Sequence, residues 1–193
     1  MPGAVEGVAS TAQMPRVSRV RPRSERSLIA GTLAGSEIDL EMLFRRHWPR
    51  AYRAAFLIVQ DHAAAEDIAQ EAFLAALRHL HRFDRRRRFG PWLGAIVANR
   101  AIDWARARTA RRESAHELPE TASPPAERRY SQEVVTALGE LSPEHRAVVV
   151  MRYVLEYTPG EIARALDLPR GTVNSRLRRG LDALEARLRQ VER

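Results

Sequence analysis

Apolar residues recur along most of this chain at steps of three and four, and nowhere do they alternate. Leu40, Leu43, Phe44, Trp48, Tyr52, Ala55, Phe56 and Val59 form one such stripe. That is the period of an amphipathic α-helix, not the two-residue period of a half-buried strand. Two further helices are predicted, from about Ala63 to His81 and from about Pro91 to Arg108. The period then stops: TARRESAHELPETASPPAERR, Thr109 to Arg129, carries three prolines, two of them adjacent, and reads as a linker. It resumes near Tyr130 and runs to the C-terminus through three more helical segments. Pro143, Pro159 and Pro169 each stand where a first helical turn tolerates proline. The expected fold is all-α: two small helical domains, residues 37–112 and 130–193, joined by a flexible linker over 113–129. Residues 1–36 are rich in Pro, Gly, Ser and Arg without a sustained period and are expected to form a flexible basic tail.

Charge narrows the partners. The formal net charge of the 193 residues is +8, and all 32 basic residues are arginine. A GC-rich coding sequence explains why lysine is missing, but not the positive balance. The guanidinium fork holds phosphates and guanine edges in a bidentate manner, so the balance suits a nucleic-acid partner. There is no cysteine, which excludes disulfide scaffolds, thiolate metal sites and cysteine nucleophiles and points to the cytoplasm. No apolar run approaches the roughly 20 residues that span a bilayer, and the N-terminus lacks an apolar signal core, so neither export nor membrane insertion is expected.

A catalytic constellation is also missing. Of the six histidines, His79 and His81 share an H-x-H spacing, but on a helix their side chains diverge, and no carboxylate cluster accompanies them. Glu66, Asp67 and Glu71 lie close together without a histidine partner or a phosphate-cradling glycine loop. No catalytic residue, metal site or cofactor is expected, and the chain is read as a binding protein.

The most specific local signal runs from Thr158 to Arg179, TPGEIARALDLPRGTVNSRLRR, and reads as a helix-turn-helix. Thr158 is placed to cap the first helix, Glu161 to complete a capping box, and Pro159 to fill the first helical position. Ile162, Ala163 and Leu166 point inward, and Leu168-Pro-Arg-Gly-Thr172 carries the turn. The second helix buries a stripe of Val173, Leu177, Leu181, Leu184 and Leu188, leaving Arg170, Asn174, Ser175, Arg178 and Arg179 outside. Arginine forks, an amide and short hydroxyls at the start of such a helix are what major-groove reading requires. Repressors, response regulators and initiation factors share this motif, so discrimination falls to the N-terminal domain.

There, Ile68, Ala69, Ala72, Phe73, Ala76, Leu77 and Leu80 form the inner face of the second helix. Asp67, Gln70, Glu71, Leu74 and Arg78 fall on the other side, an acidic and amide stripe with an exposed leucine that reads as a docking surface. Ala65-Glu-Asp-Ile-Ala-Gln-Glu-Ala-Phe73 resembles the core-polymerase-binding segment of bacterial sigma factors, region 2.2. Phe83-Asp-Arg-Arg-Arg-Arg-Phe-Gly-Pro-Trp-Leu-Gly-Ala-Ile-Val-Ala-Asn-Arg-Ala-Ile-Asp103 resembles the family's promoter-melting and minus-10-reading regions, and the helix-turn-helix resembles region 4. The resemblance runs from about Ile38 to Leu188. The short Pro-rich linker leaves no room for a region-3 domain, as in the extracytoplasmic-function group of the sigma-70 family.

The resemblance implies roles residue by residue. Asp67, Gln70, Glu71 and Leu74 would bind core RNA polymerase at its clamp helices, with a further contact to the flap. Arg85 to Phe89, among them Arg85, Arg86, Arg87 and Arg88, would form the loop that captures a flipped minus-10 base, with Phe83 and Asn99 lining its approach. Asn99, Asp103 and Arg106 would make a DNA-facing strip on the third helix, opposite Trp92, Leu93, Ile96, Val97 and Trp104 in the core. Arg152, Arg170, Thr172, Asn174, Ser175, Arg178 and Arg179 would bind the minus-35 element. An anti-sigma factor would hold the domains inactive. Four consecutive arginines depart from the mixed small and acidic residues expected of the base-capturing loop. The rival reading is an operator-binding regulator whose N-terminal bundle senses a ligand or dimerises; affinity for core polymerase separates the two.

Overall fold

The structure, a computed structural model, describes residues 23–115 and 132–191, with side chains over 23–111 and 132–190. Among the described residues there are eight α-helices and no strand, in two groups as the apolar period predicts.

The first group comprises α1 (Glu25–Leu33), α2 (Glu37–Val59), α3 (His62–His79), a 3-10 turn (Leu80–Arg82) and α4 (Phe89–Ala115). Short polar side chains start three of the helices. Ser24 accepts from Ser27 N–H, Ser36 from Asp39 N–H, and Asp61 from Ala64 N–H, each satisfying an orphan donor of the first turn. Ala65, Ala69, Ala72 and Ala76 expose no surface and let α3 lie close on α2, while Leu43, Leu57, Ile58, Phe89, Leu93 and Val97 fill the centre.

The second group comprises α5 (Gln132–Glu140), α6 (Pro143–Tyr153), α7 (Pro159–Ala165) and α8 (Arg170–Val191), four helices where the period suggests three. The extra one is α5, whose Val135, Ala137 and Leu138 are buried. Thr158 and Glu161 form the expected capping box, each side chain bonded to the other's backbone N–H. The stripe of α8 is buried only at its start. Val173 has no exposed surface and Leu177 is 8% exposed, whereas Leu181 is 36% exposed. Beyond Gly180, which packs on Val149, Leu184 is partly buried against the core and Arg187 pairs with Glu140 of α5 at 2.8 Å.

Three other expectations are corrected. The stretch read as tail is helical over Glu25–Leu33, because Leu28 and Ile29 are buried against α2. α4 starts two residues before Pro91 and reaches Ala115, so helix extends into the span assigned to the linker. The two groups are also not merely tethered: α5 and α6 pack on α2, α6 and α7 pack on α4, and the buried residues of both form one contiguous cluster. The rest of the tail and of the linker, with Arg16, Arg19 and Arg21, lies outside the described residues.

Candidate polymerase and promoter interface

On α3 the expected docking stripe is exposed as predicted. Asp67, Gln70 and Glu71 face solvent, and Leu74, 56% exposed, is among the few large apolar side chains left outside. Gln70 Nε2 donates to Glu66 Oε1 at 3.3 Å, and Glu71 pairs with Arg100 of α4 at 2.6 Å. This ion pair holds the α3 stripe against α4 at its exposed edge.

The loop between the 3-10 turn and α4 is shaped by Asp84. Its carboxylate accepts from Arg86 N–H at 3.0 Å and its carbonyl from Arg87 N–H at 2.9 Å, an Asx-type turn that turns Arg85, Arg86, Arg87 and Arg88 outward. The two phenylalanines that bracket these arginines are not available to a base. Phe83 is 8% exposed and Phe89 is fully buried; their rings meet edge to face at 5.9 Å, and Phe83 lies 4.8 Å from Trp92. Phe83, expected to line the approach to the loop, and Phe89, expected to end it, are both buried in this arrangement. They form the floor under the loop, where aromatic packing gains more than exposure would.

A residue that the sequence reading missed fixes the rear of this loop. Glu25 of α1 accepts from Phe89 N–H at 2.8 Å through Oε1, and its Oε2 lies 3.1 Å from His47 Nε2. It is a cap supplied from a distant helix to the positive N-terminal end of α4. His47 also packs on Phe89 at 5.0 Å; burial holds its pKa below the ordinary value, with Glu25 acting in the opposite direction.

Along α4, Asn99, Asp103 and Arg106 share an exposed side as predicted, opposite Leu93, Val97 and the half-buried Trp92, Ile96 and Trp104. Two of the three are already engaged by the second domain. Asn99 Nδ2 donates to Ala165 O at 2.9 Å, and Arg106 Nε lies 2.7 Å from Glu144 Oε1. Burial opposes ionisation of Glu144, yet its pKa stays below the ordinary carboxylate range because Arg106 donates to it.

In the helix-turn-helix, Arg170, Asn174, Arg178 and Arg179 are exposed, while Thr172 and Ser175 are half-buried at the start of α8. Thr172, Ser175, Arg176 and Arg179 line an open groove with Ser142, which caps α6, and His145 within it. Arg152 is partly held: its Nη1 donates to Tyr157 O at 3.3 Å and its guanidinium sits 5.7 Å from the ring of Tyr153, itself 57% exposed.

Described residues that are all helical and carry a helix-turn-helix, an arginine loop beside an exposed polar strip and an acidic, leucine-bearing face fit a transcription protein that binds DNA and a second protein together. Residues 43–111 match the family model of sigma-70 region 2 and residues 131–184 that of sigma-70 region 4. The chain belongs to the sigma-70 family, in its extracytoplasmic-function group. It is 33% identical to RNA polymerase sigma factor CarQ of Myxococcus xanthus over 168 residues, 82% of this chain and 94% of that protein. It is 35% identical to ECF RNA polymerase sigma factor SigM of Mycobacterium tuberculosis over 163 residues, 81% of each. Its fold is similar to that of the sigma factor RpoE from Bartonella quintana, solved in complex with the anti-sigma factor NepR. The TM-score is 0.67 at 20% identity, covering 78% of this chain and 97% of that one.

Proposed function

We propose that this sigma factor binds core RNA polymerase through Asp67, Gln70, Glu71 and Leu74. It then reads the minus-10 element with Arg85 to Arg88, Asn99, Asp103 and Arg106, and the minus-35 element with Arg152, Arg170, Thr172, Asn174, Ser175, Arg178 and Arg179. The observation that carries the reading is the exposed Leu74 within an acidic stripe. Its place among Asp67, Gln70 and Glu71, inside the span that matches sigma-70 region 2, supports burial against a protein partner. The four arginines suit a phosphate-lined single strand, and the exposed start of α8 suits a major groove.

The division of labour assigns the region-2 domain to residues up to the end of α4 and the region-4 domain to α5 onward. The chain acts as a subunit, with chemistry left to the polymerase. Among the described residues no helix is long and apolar enough to cross a membrane, which accords with work in the cytoplasm on core polymerase. RpoE of Bartonella quintana was solved with an anti-sigma factor, and the same kind of control extends to this chain.

Runoff transcription with purified core polymerase on a promoter library tests the reading. The expected result is initiation dependent on this chain from templates sharing a minus-10 and a minus-35 element. An operator-binding dimer without affinity for core polymerase would overturn it.

A further inference from the structure

We infer that α1 is a brace for the arginine loop, fixing the chain on both sides of residues 83–88, and that its Glu25 is a positioning residue for minus-10 selection. This rests on the sigma-factor reading above, in which Arg85 to Arg88 meet the minus-10 element. α1 lies ahead of residues 43–111, the span that matches sigma-70 region 2.

A nine-residue helix is marginal on its own, so α1 takes its place from what it touches. Leu28 and Ile29 are buried. Arg23, just before the helix, pairs with Asp39 of α2, a carboxylate that is 6% exposed, and Arg46 Nη2 donates to Arg23 O at 2.9 Å. Gly31 brings the last turn of α1 onto the same carboxylate. A Cβ there would stand 1.8 Å from Asp39 Oδ2 and 2.9 Å from Asp39 Cβ, so the two helices meet where a side chain has no room.

Seated in this way, α1 reaches both flanks of the loop. Ahead of it, α1 packs on the 3-10 turn Leu80–Arg82. Behind it, Glu25 Oε1 accepts from Phe89 N–H at 2.8 Å, and Glu25 Oε2 lies 3.1 Å from His47 Nε2. His47 is wedged against the start of α4: its ring lies 5.0 Å from that of Phe89, and a Cβ on Gly90 would stand 3.4 Å from its Cε1 and Nδ1. One carboxylate thus ties α1, α2 and the first residue of α4 together. Between the two anchors, Asp84 sets the turn and the four arginines are exposed. An exposed loop presents its side chains reproducibly only when the scaffold beneath holds its ends. Glu25 acts on selection through Phe89 and His47, without touching a base.

Two substitutions in the full chain approach the brace from opposite sides. Glu25→Ala cuts the tie to α4. Gly31→Ala raises helix propensity yet drives α1 off α2, and adding Asp39→Ala removes the two nearest clashing atoms. The readouts are core-polymerase binding, hydrogen exchange of the peptide covering 83–89, and transcription from promoters substituted base by base at minus-10 and minus-35. Core binding should stay within about twofold of the parent. Exchange over 83–89 should quicken in both variants. The preference for the best minus-10 base, about 5–150-fold per position, should fall by about fivefold while minus-35 preferences hold. Glu25→Gln, which keeps an acceptor for Phe89 N–H, should lose roughly half as much, and Asp39→Ala should partly restore Gly31→Ala. An equal fractional loss on every template, or an unchanged minus-10 preference despite faster exchange, leaves α1 a purely structural role and overturns the inference. Should Gly31→Ala fail to fold, Glu25→Ala and Glu25→Gln decide by the same criteria. A parent chain without core-dependent transcription would instead sink the sigma-factor reading.

Discussion

Glu25→Ala removes a cap made by one helix for another, and its cost follows from what it leaves behind. Phe89 has no exposed surface, and its N–H donates to Glu25 Oε1 at 2.8 Å. A buried donor left without a partner costs about 1–3 kcal/mol. The lost acceptor is an anion at the N-terminus of a 27-residue helix, worth about 0.3–1 kcal/mol more. The carboxylate side chain is 29% exposed, so water enters the vacated space and places the total near the lower end, about 2 kcal/mol. For a protein of this size that lowers Tm by about 4–8 °C. Glu25→Gln keeps an acceptor oxygen for Phe89 N–H and loses only the charge, so its effect should be roughly half. Because the arginine loop ends at Phe89, slack there should narrow the discrimination between minus-10 variants while minus-35 variants are ranked as before. Urea unfolding and transcription from two sets of promoter substitutions measure both. A Glu25→Ala chain within about 0.5 kcal/mol of the parent, with unchanged minus-10 ranking, would refute the capping argument.

Asp61 gives a pH test. Its N-cap bond from Ala64 N–H, with help from Arg108 at 2.8 Å, holds its folded pKa below the ordinary value of 3.8. The stability it contributes is therefore full above about pH 4 and is lost as pH falls through the folded pKa. Asp61→Asn should flatten that part of the acid limb of an unfolding-versus-pH curve, and Asp61→Ala should also cost about 1 kcal/mol at pH 7; an acid limb unchanged in Asp61→Asn would refute this. Leu74→Ala and Asp67→Arg should weaken core-polymerase binding in a pull-down or anisotropy titration while full-chain unfolding stays within about 0.5 kcal/mol of the parent, since both positions are exposed. Asn174→Ala or Arg178→Ala should cost about 1–3 kcal/mol per lost bidentate contact and relax selectivity at the minus-35 element alone. A uniform loss across all upstream sequences would reassign them to phosphate contact.

Several local signals contained within one helix were read correctly, although the inner stripe predicted for α8 was not, since Leu181 is exposed. The capping box of Thr158 and Glu161, the inward Ile162 and the exposed stripe on α3 depend on spacing within a few residues. α1 escaped because only Leu28 and Ile29 of its nine residues are buried, too few to show a period. Its caps were nonetheless present: Ser24 before it, then Gly35 at φ 85° and Ser36 before α2. The burial of Phe83 was not legible because its neighbours in sequence are charged, whereas its neighbours in space are Phe89 and Trp92. Arg146 reads in sequence as one more solvated arginine, and nothing near it reveals Ile58 O, 88 positions away, as its acceptor.

The domain contact joins the apolar cluster that runs through both domains to a set of polar bonds. Within the domains, helices meet through alanine, leucine and valine, whose separation would expose apolar area to water. Between them the apolar cluster is supplemented by side chains donating to carbonyls and carboxylates: Asn99, Arg50, Arg106, Tyr157 and Arg146. Such bonds exchange for water at a small net cost, typically about 1 kcal/mol each. Desolvation by burial pulls the pKa of Arg146 down to about 10, and three carbonyl acceptors hold its charge. Two of its three bonds, to Gly139 O and Leu141 O, lie within its own domain and survive separation; only the bond to Ile58 O is given up. Parting the domains would therefore expose the apolar area they share as well as exchange these bonds for water, so the polar set fixes the geometry of the contact and the apolar cluster supplies most of its cost of opening.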